Sequence, residues 1–348
     1  MKKIITWLVF ILSLHVTKAQ ELESILLASD DAKLLTQKYL NPAVKGLMFG
    51  LNNGWATTAK VHDKFGFDIT IGANLAFVPS SEEMFAFVPS DYKYLSLPGG
   101  QTMLSSVMSK SSADTQVNVS VKESNGTYRV GNFNMPSGVA EDLPVNAVPT
   151  PHVQLGFGLP FKTDIKARFV PKLNFDDDVE AGLFGLGLQH DLTQYFGPME
   201  KLPLSVSVLA AFTKLDATYH INDDDPDDNI AVSNGRTEFK VNTWTLQALA
   251  SLDFKFATLY CGVGYNNGKS TVNTKGDYTL TYDIEDENGN YLGSTTQTLK
   301  DPINLDFDAN GLRANIGARL NLSIFKIFAD YTFQEYNTAT VGIAFSVR

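Results

Sequence analysis

The 348-residue sequence predicts an all-β protein: a transmembrane antiparallel β-barrel of about twelve strands, within a range of roughly ten to fourteen, behind a short N-terminal helical plug. Three observations predict it. Long segments alternate apolar and polar residues with a period of two. Their apolar faces carry no charge, while the opposite faces carry both signs. The connections between them are long at one end and short at the other.

The order of elements starts with Lys2 and Lys3, the apolar run "IITWLVFILSL" and the small residues around Ala19. This is the layout of an export signal cut after Ala19, and the run is too short for a spanning helix. Removing residues 1–19 takes away Lys2, Lys3 and Lys18, so the net charge of −10 falls by three more. An acidic chain of this kind is not built for nucleic acid. The single cysteine, Cys261, excludes an internal disulfide and sits in an apolar alternation.

Residues 20–45 form the plug in this reading. Leu22, Ile25, Leu26, Ala32, Leu35 and Tyr39 fall at helical spacing, and Asn41-Pro42 is expected to end the helix. Residues 46–348 form the barrel, although segment 47–58 does not fit the strand parity. In "FGFDITIGANLAF", Phe65, Ile69, Ile71 and Phe77 are expected to face lipid, and Asp68, Thr70 and Asn74 the lumen. Arginine at Ile71 should therefore be costly, and at Thr70 tolerated. Further strands read at 115–122, 127–133, 151–159, 165–175, 180–190, 204–219, 244–256, 258–283, 312–322, 325–334 and 341–347. Aromatic residues twelve positions apart, Phe65 with Phe77 and Trp244 with Phe256, span roughly 30 Å in a tilted strand. That matches the two interfaces of a bilayer. The connections 80–114, 134–150, 220–235 and 284–304 are placed outside the cell. The short ones near 123–126, 160–163, 257 and 323 are placed in the periplasm, with 191–201 as a moderate exception.

"YLNPAVKGLMFGLNNGWATTAKVH", "GFDITIGANLAFVPS" and "LGLQHDLTQYFGPMEKLPLSVSVLAAFTKL" resemble an uncharacterised family of outer-membrane-like proteins of Gram-negative bacteria, a domain of unknown function. The resemblance implies an outer-membrane barrel and supplies no substrate or functional residue. The layout of a helical N-terminus ahead of a barrel is more distantly similar to the long-chain fatty-acid transport porins.

Little in the sequence points to catalysis. "GYNNGKST" has Val263 where a phosphate-binding loop needs glycine, and the "GFG" and "GLG" pairs at 156–158 and 185–187 read as small residues on a strand face. His62, His152, His190 and His220 show no metal spacing, and there is no G-x-S-x-G elbow. Asp223, Asp225 and Asp227 alternate as in a calcium loop, but the required glycine and glutamate are missing, so they are weak metal candidates in a solvated loop. No cofactor and no enzymatic activity are expected.

The lumen face is the informative one. Lys166, Arg168, Lys172, Asp253, Lys255, Arg313, Arg319, Lys326 and Asp330 are its candidates. They predict either a cationic pore or a charge network that fills a small barrel. The network is favoured, because acids are present and the room is limited. The expected role is passage of small, amphipathic or hydrophobic solutes across the outer membrane. The alternatives are a structural or surface-interaction barrel without an open pore, and a soluble periplasmic β protein. Outer-membrane lipid and lipopolysaccharide are the expected surroundings.

Overall fold

The structure is a computed structural model that describes residues 28–110, 115–123, 125–176, 178–197, 203–221 and 230–347. Residues 1–19, read above as an export signal, and Asp223, Asp225 and Asp227 lie outside these residues.

The chain opens with helix α1 (Ser29–Leu51) and then β1 (Phe67–Phe77). A layer of short strands follows: β2 (Met84–Ala86), β3 (Leu95–Ser96), β4 (Met103–Ser105), β5 (Thr115–Lys122) and β6 (Tyr128–Met135). Long strands come next: β7 (Ala147–Leu159), β8 (Thr163–Asp176), β9 (Val179–Asp191), β10 (Leu204–Ile221), β11 (Ile230–Asp253) and β12 (Ala257–Glu285). The last are β13 (Tyr291–Lys300), β14 (Ile303–Leu322), β15 (Phe325–Phe333) and β16 (Thr338–Val347).

Ten of these strands pair antiparallel in a circuit: β1, β7, β8, β9, β10, β11, β12, β14, β15, β16 and back to β1. The seam joins the first and last strands of the chain, with Phe67 opposite Val347 and Ile71 opposite Ile343. The circuit therefore lies at the lower bound of the expected range. Segments 115–122 and 127–133, counted in the sequence as wall strands, form instead the β5–β6 hairpin. It pairs with the far end of β12 and with β3 beyond the circuit. Its turn at 123–126 is accordingly at the long-loop end. A period of two is the same in a barrel wall and in such a hairpin, so alternation alone does not separate them.

The other connections group at the two ends of the circuit as expected, whichever side of a membrane each end faces. The tight turns after β7, β11 and β14 lie at one end, with the 192–203 connection, and the long excursions lie at the other. The strand of the FGFDITIGANLAF stretch starts at Phe67, because Phe65 has a left-handed backbone (φ 68°) in the turn before it. At eleven residues it is as long as a tilted strand needs to be to cross a bilayer. Ile71, Val153, Leu188, Leu246, Val263, Ile316 and Ile343 form an exposed apolar band around the circuit. Phe184, Phe212, Trp244, Tyr265 and Phe333 border it toward the loop end. Phe65, Phe157, Phe254, Phe256 and Phe325 border it toward the turn end. An apolar band between two aromatic girdles is the outer surface of a transmembrane barrel.

Beyond the loop-end girdle the wall reverses its polarity. Along β12 the inward residues run from Thr258, Gly262 and Asn266 to Val272, Tyr278, Leu280 and Tyr282. The outward ones run from Leu259 and Val263 to Lys269, Asn273 and Asp277. β14 does the same, from inward Asn315 and Arg313 to Ala309, Phe307 and Leu305. The loop-end half is thus a water-exposed β structure with an apolar interior. It is filled by α1 and by residues from the 78–146 region, including Phe87, Leu104, Met108 and Phe133.

α1 runs through Pro42 to Leu51 and does not stop at Asn41. Ala43, Val44, Leu47, Met48 and Phe49 are all buried. Packing of this turn inside the wall outweighs the cost of one missing amide. The Asp31 carboxylate near its start accepts the backbone N–H groups of Lys93, Tyr94 and Leu95 (2.8, 2.6 and 3.1 Å), which fixes that end of the helix in the loop-end layer. The chain therefore descends through the barrel from the loop end toward the turn end. The lumen segment does not stop at residue 45: Trp55, Ala59 and Val61 are buried as well.

Candidate functional site: the plugged lumen

A helix that ends inside a barrel exposes its last carbonyl oxygens to a site with few donors. The wall supplies them. Arg168 on β8 donates from Nη1 to the Leu51 carbonyl (3.2 Å), from Nη2 to the Asn53 carbonyl (2.9 Å) and from Nε to Gln154 Oε1 (3.1 Å). Arg313 on β14 donates from Nη1 to the Asn52 carbonyl (2.9 Å) and from Nη2 to Asn53 Oδ1 (2.7 Å) and Thr332 Oγ1 (3.2 Å). Asn74 Nδ2 on β1 donates to the Gly50 carbonyl (2.8 Å). Two cations at a helix C-terminus also oppose its negative dipole end. Both guanidinium groups are buried, and the Trp55 indole lies 4.0 Å from that of Arg168. Trp55 fits because Gly185 and Gly187 face it; a Cβ at either position would stand 3.0 Å from the ring.

Below this clamp the segment stays tied to the wall. Thr58 Oγ1 donates to Asp253 (2.9 Å), which also accepts from Ser251 (2.7 Å) and Thr258 (3.0 Å). Gln189 Nε2 donates to the Thr58 carbonyl (2.9 Å). His62 meets Asp164 twice, through its backbone N–H (3.0 Å) and through Nδ1 (2.9 Å). Arg319 donates to Asn321 (3.1 Å) and Thr57 (3.3 Å), and Tyr260 donates to Asp330 (3.0 Å).

The predicted lumen residues thus fall into three groups. Arg168, Arg313, Arg319 and Asp253 stand on the inner face and hold the plug, Asp330 on the same face accepts from Tyr260, and Lys166 is buried there too. Lys326 lies at the turn-end mouth, donating to the Ser323 carbonyl (2.6 Å). Lys172 and Lys255 do not line the lumen. A bulge between Val170 and Leu173 breaks the parity before Lys172, whose exposed amine bridges to Glu180 (3.4 Å) at the loop-end rim. Lys255 sits in the exposed 254–256 turn against the Phe256 ring. Sequence reasoning missed Asn53, Trp55, Gln154 and Gln189, whose roles come from strands far away in the chain. For Asn53 and Trp55 the one local signal was the parity misfit of 47–58, which belongs to the plug; Gln154 and Gln189 gave none. Among the described residues, no three His, Cys, Asp or Glu side chains are grouped to hold a metal.

Several solved barrels are similar at low identity. The OmpT outer-membrane protease of Escherichia coli shares 9% identity over 82% of this chain and 97% of its own, with a TM-score of 0.33. Ail, the attachment invasion locus protein of Yersinia pestis, shares 8% over 82% of this chain and 100% of its own, with a TM-score of 0.25. The toluene transporter TodX of Pseudomonas putida shares 9% over 85% and 92%, with a TM-score of 0.19. No curated protein matches the chain. A family model does match, over residues 1–347, and the chain belongs to that family, a family of unknown function (DUF6588).

Proposed function

We propose that this protein is an exported outer-membrane barrel closed by its own N-terminal segment, acting without catalysis as a structural or surface-interaction protein. In this reading the short turns face the periplasm, and the β-rich loop-end layer stands outside the cell. One observation carries it: the lumen is occupied from Ala28 to Val61, and both buried arginines are committed to the plug's own backbone. The charge that would otherwise line a cationic pore is used internally. Planar-bilayer recording of the full chain tests the reading. It predicts no ion-carrying events, and sustained unitary conductance would overturn it.

Passage of small amphipathic solutes is the second reading, and it requires the plug to move. It is supported by a polar stripe on the inner face of β10, β11 and β12, formed by Thr213, Thr243, Thr245, Asn266 and Ser270 beside the helix. Thr213, Thr243 and Ser270 hydroxyls there have no partner among the described residues, which suits a path that can be wetted. Deleting residues 20–61, the whole lumen segment, separates the two readings. New conductance favours a plugged pore, and a barrel that stays silent favours the structural role.

A further inference from the structure

Lipid-facing residues line up in rows across the strands. Ala248, Val263 and Ala314 stand opposite one another on β11, β12 and β14, and Phe333 on β15 ends the row. The next row toward the loop end holds the larger Leu246, Tyr265 and Leu312. The smaller row beneath the larger one leaves an apolar furrow of about 710 Å³ in the outer wall.

Above the furrow the chemistry changes in order. Phe212, Trp244, Asn267 and Asn310 form the following row, and Lys214, Asn242, Lys269 and Asp308 the one after it. Asp216, Lys240, Thr271 and Asp306 come next, one step farther from the membrane. Lys214 lies 3.2 Å from Asp216, and Lys240 2.9 Å from Glu238. Lys269 has no carboxylate within 4.0 Å among the described residues, although Asp308 is its cross-strand neighbour. Two amines therefore occupy the row nearer the bilayer, and of the carboxylates only Asp308 shares that row. From Val263 to Lys269 is six residues, about 20 Å along a strand and roughly 15 Å in height at a tilt of about 40°. That is about half of a hydrocarbon core. Tyr265 and Phe333 of the loop-end girdle border the furrow, so it lies just under the outer interface, below the amines.

We propose that this wall is a docking surface for one phosphorylated glycolipid of the outer leaflet, lipopolysaccharide. An acyl chain lies over Ala248, Val263 and Ala314. The sugar meets Asn267 and Asn310, and a phosphate meets Lys214 and Lys269. The site is on the outside of the wall and is independent of whether the lumen conducts.

The test is native mass spectrometry of the full-length protein from nanodiscs containing either purified lipopolysaccharide or phosphatidylethanolamine. One lipopolysaccharide should be retained per barrel and should not be displaced by excess phosphatidylethanolamine. Lys214→Glu with Lys269→Glu should lower retention on the order of tenfold. Ala248→Leu with Ala314→Leu, which fills the furrow, should lower it as well. All four positions point outward, and heat-modifiable migration on gels checks folding. Equal retention in all variants overturns the proposal, as does loss from the furrow pair alone, which would mean a bare alkyl site. A dimer mass in place of bound lipid would assign the furrow to a second copy and also overturn it. The competition on the unaltered protein decides even if a variant does not fold.

Discussion

The two halves of the barrel wall use the same strands in opposite senses. In the turn-end half, Ile71, Leu246, Val263 and Ile316 face out, while Thr70, Gln247, Arg313 and Asn315 face in. In the loop-end half, Phe239, Leu280, Leu305 and Phe307 face in, while Lys240, Thr279, Asn304 and Asp306 face out. The pleat is continuous through β12, so no register change causes the reversal. It follows the solvent: apolar side chains point at hydrocarbon where there is hydrocarbon, and at one another where there is water. The plug follows the same rule. Its outer turns are held by apolar packing, and its inner end by arginines and asparagines.

The comparison can be broken from its strongest point downward. Leu280→Ala removes a fully buried side chain in the loop-end half and should cost about 2–5 kcal/mol. Leu312→Ala, 80% exposed on the lipid face, should cost under about 1 kcal/mol. Urea unfolding in liposomes compares them, and equal costs would mean that the halves do not differ. Ile71→Arg should cost about 2–4 kcal/mol if it lies near the bilayer midplane. Thr271→Arg, outward above the girdle, should stay within about 0.5 kcal/mol. Thr70→Arg is now expected to fail too, because Thr70 is 3% exposed and the lumen beside it is occupied. Arg313→Met leaves the Asn52 carbonyl and Asn53 Oδ1 without these donors. It should cost about 1–3 kcal/mol and speed hydrogen exchange in residues 46–58 before any other segment.

The smallest effect is one of pH and is confined to the loop end. Asp301 accepts the Gly276 N–H (3.0 Å) and the Lys275 ammonium (3.2 Å), which lower its pKa below the usual carboxylate value. Asp286 is lowered likewise by Asn290, first through the side-chain amide and then the backbone N–H. A depressed folded pKa contributes stability above the unfolded value of about 3.9, and this is lost as pH falls through the folded one. Protease cleavage of the β12–β13 hairpin should therefore be slow at about pH 5 and faster below about pH 3, with the barrel intact.

Much of the turn-end half was legible because a bilayer imposes regular alternation, aromatic borders and short turns on each strand. Arg168 and Arg313 were correctly placed inward by parity alone. Their partners were not legible, since nothing local links Asn53 to residues 115 and 260 positions away. Lys172 was misplaced by a bulge, and Lys255 by extending β11 three residues too far, to 256. The Pro42 stop was misread because local propensity was weighed without the wall around it. The β5–β6 hairpin was taken for wall because the reversal of polarity keeps the period and changes only what lies outside.

The seam between β1 and β16 has a kinetic consequence. Phe67 and Val347 are 280 residues apart, so their pairing closes the largest loop in the circuit and should be among the slowest steps of assembly. β1 directly follows the plug, which makes closure of the seam the event that encloses it. Until then the chain is an open sheet with two unpaired edges, β1 and β16, and each is a template for a wrong partner. Assembly speed, more than final stability, is where substitutions along the seam should be felt.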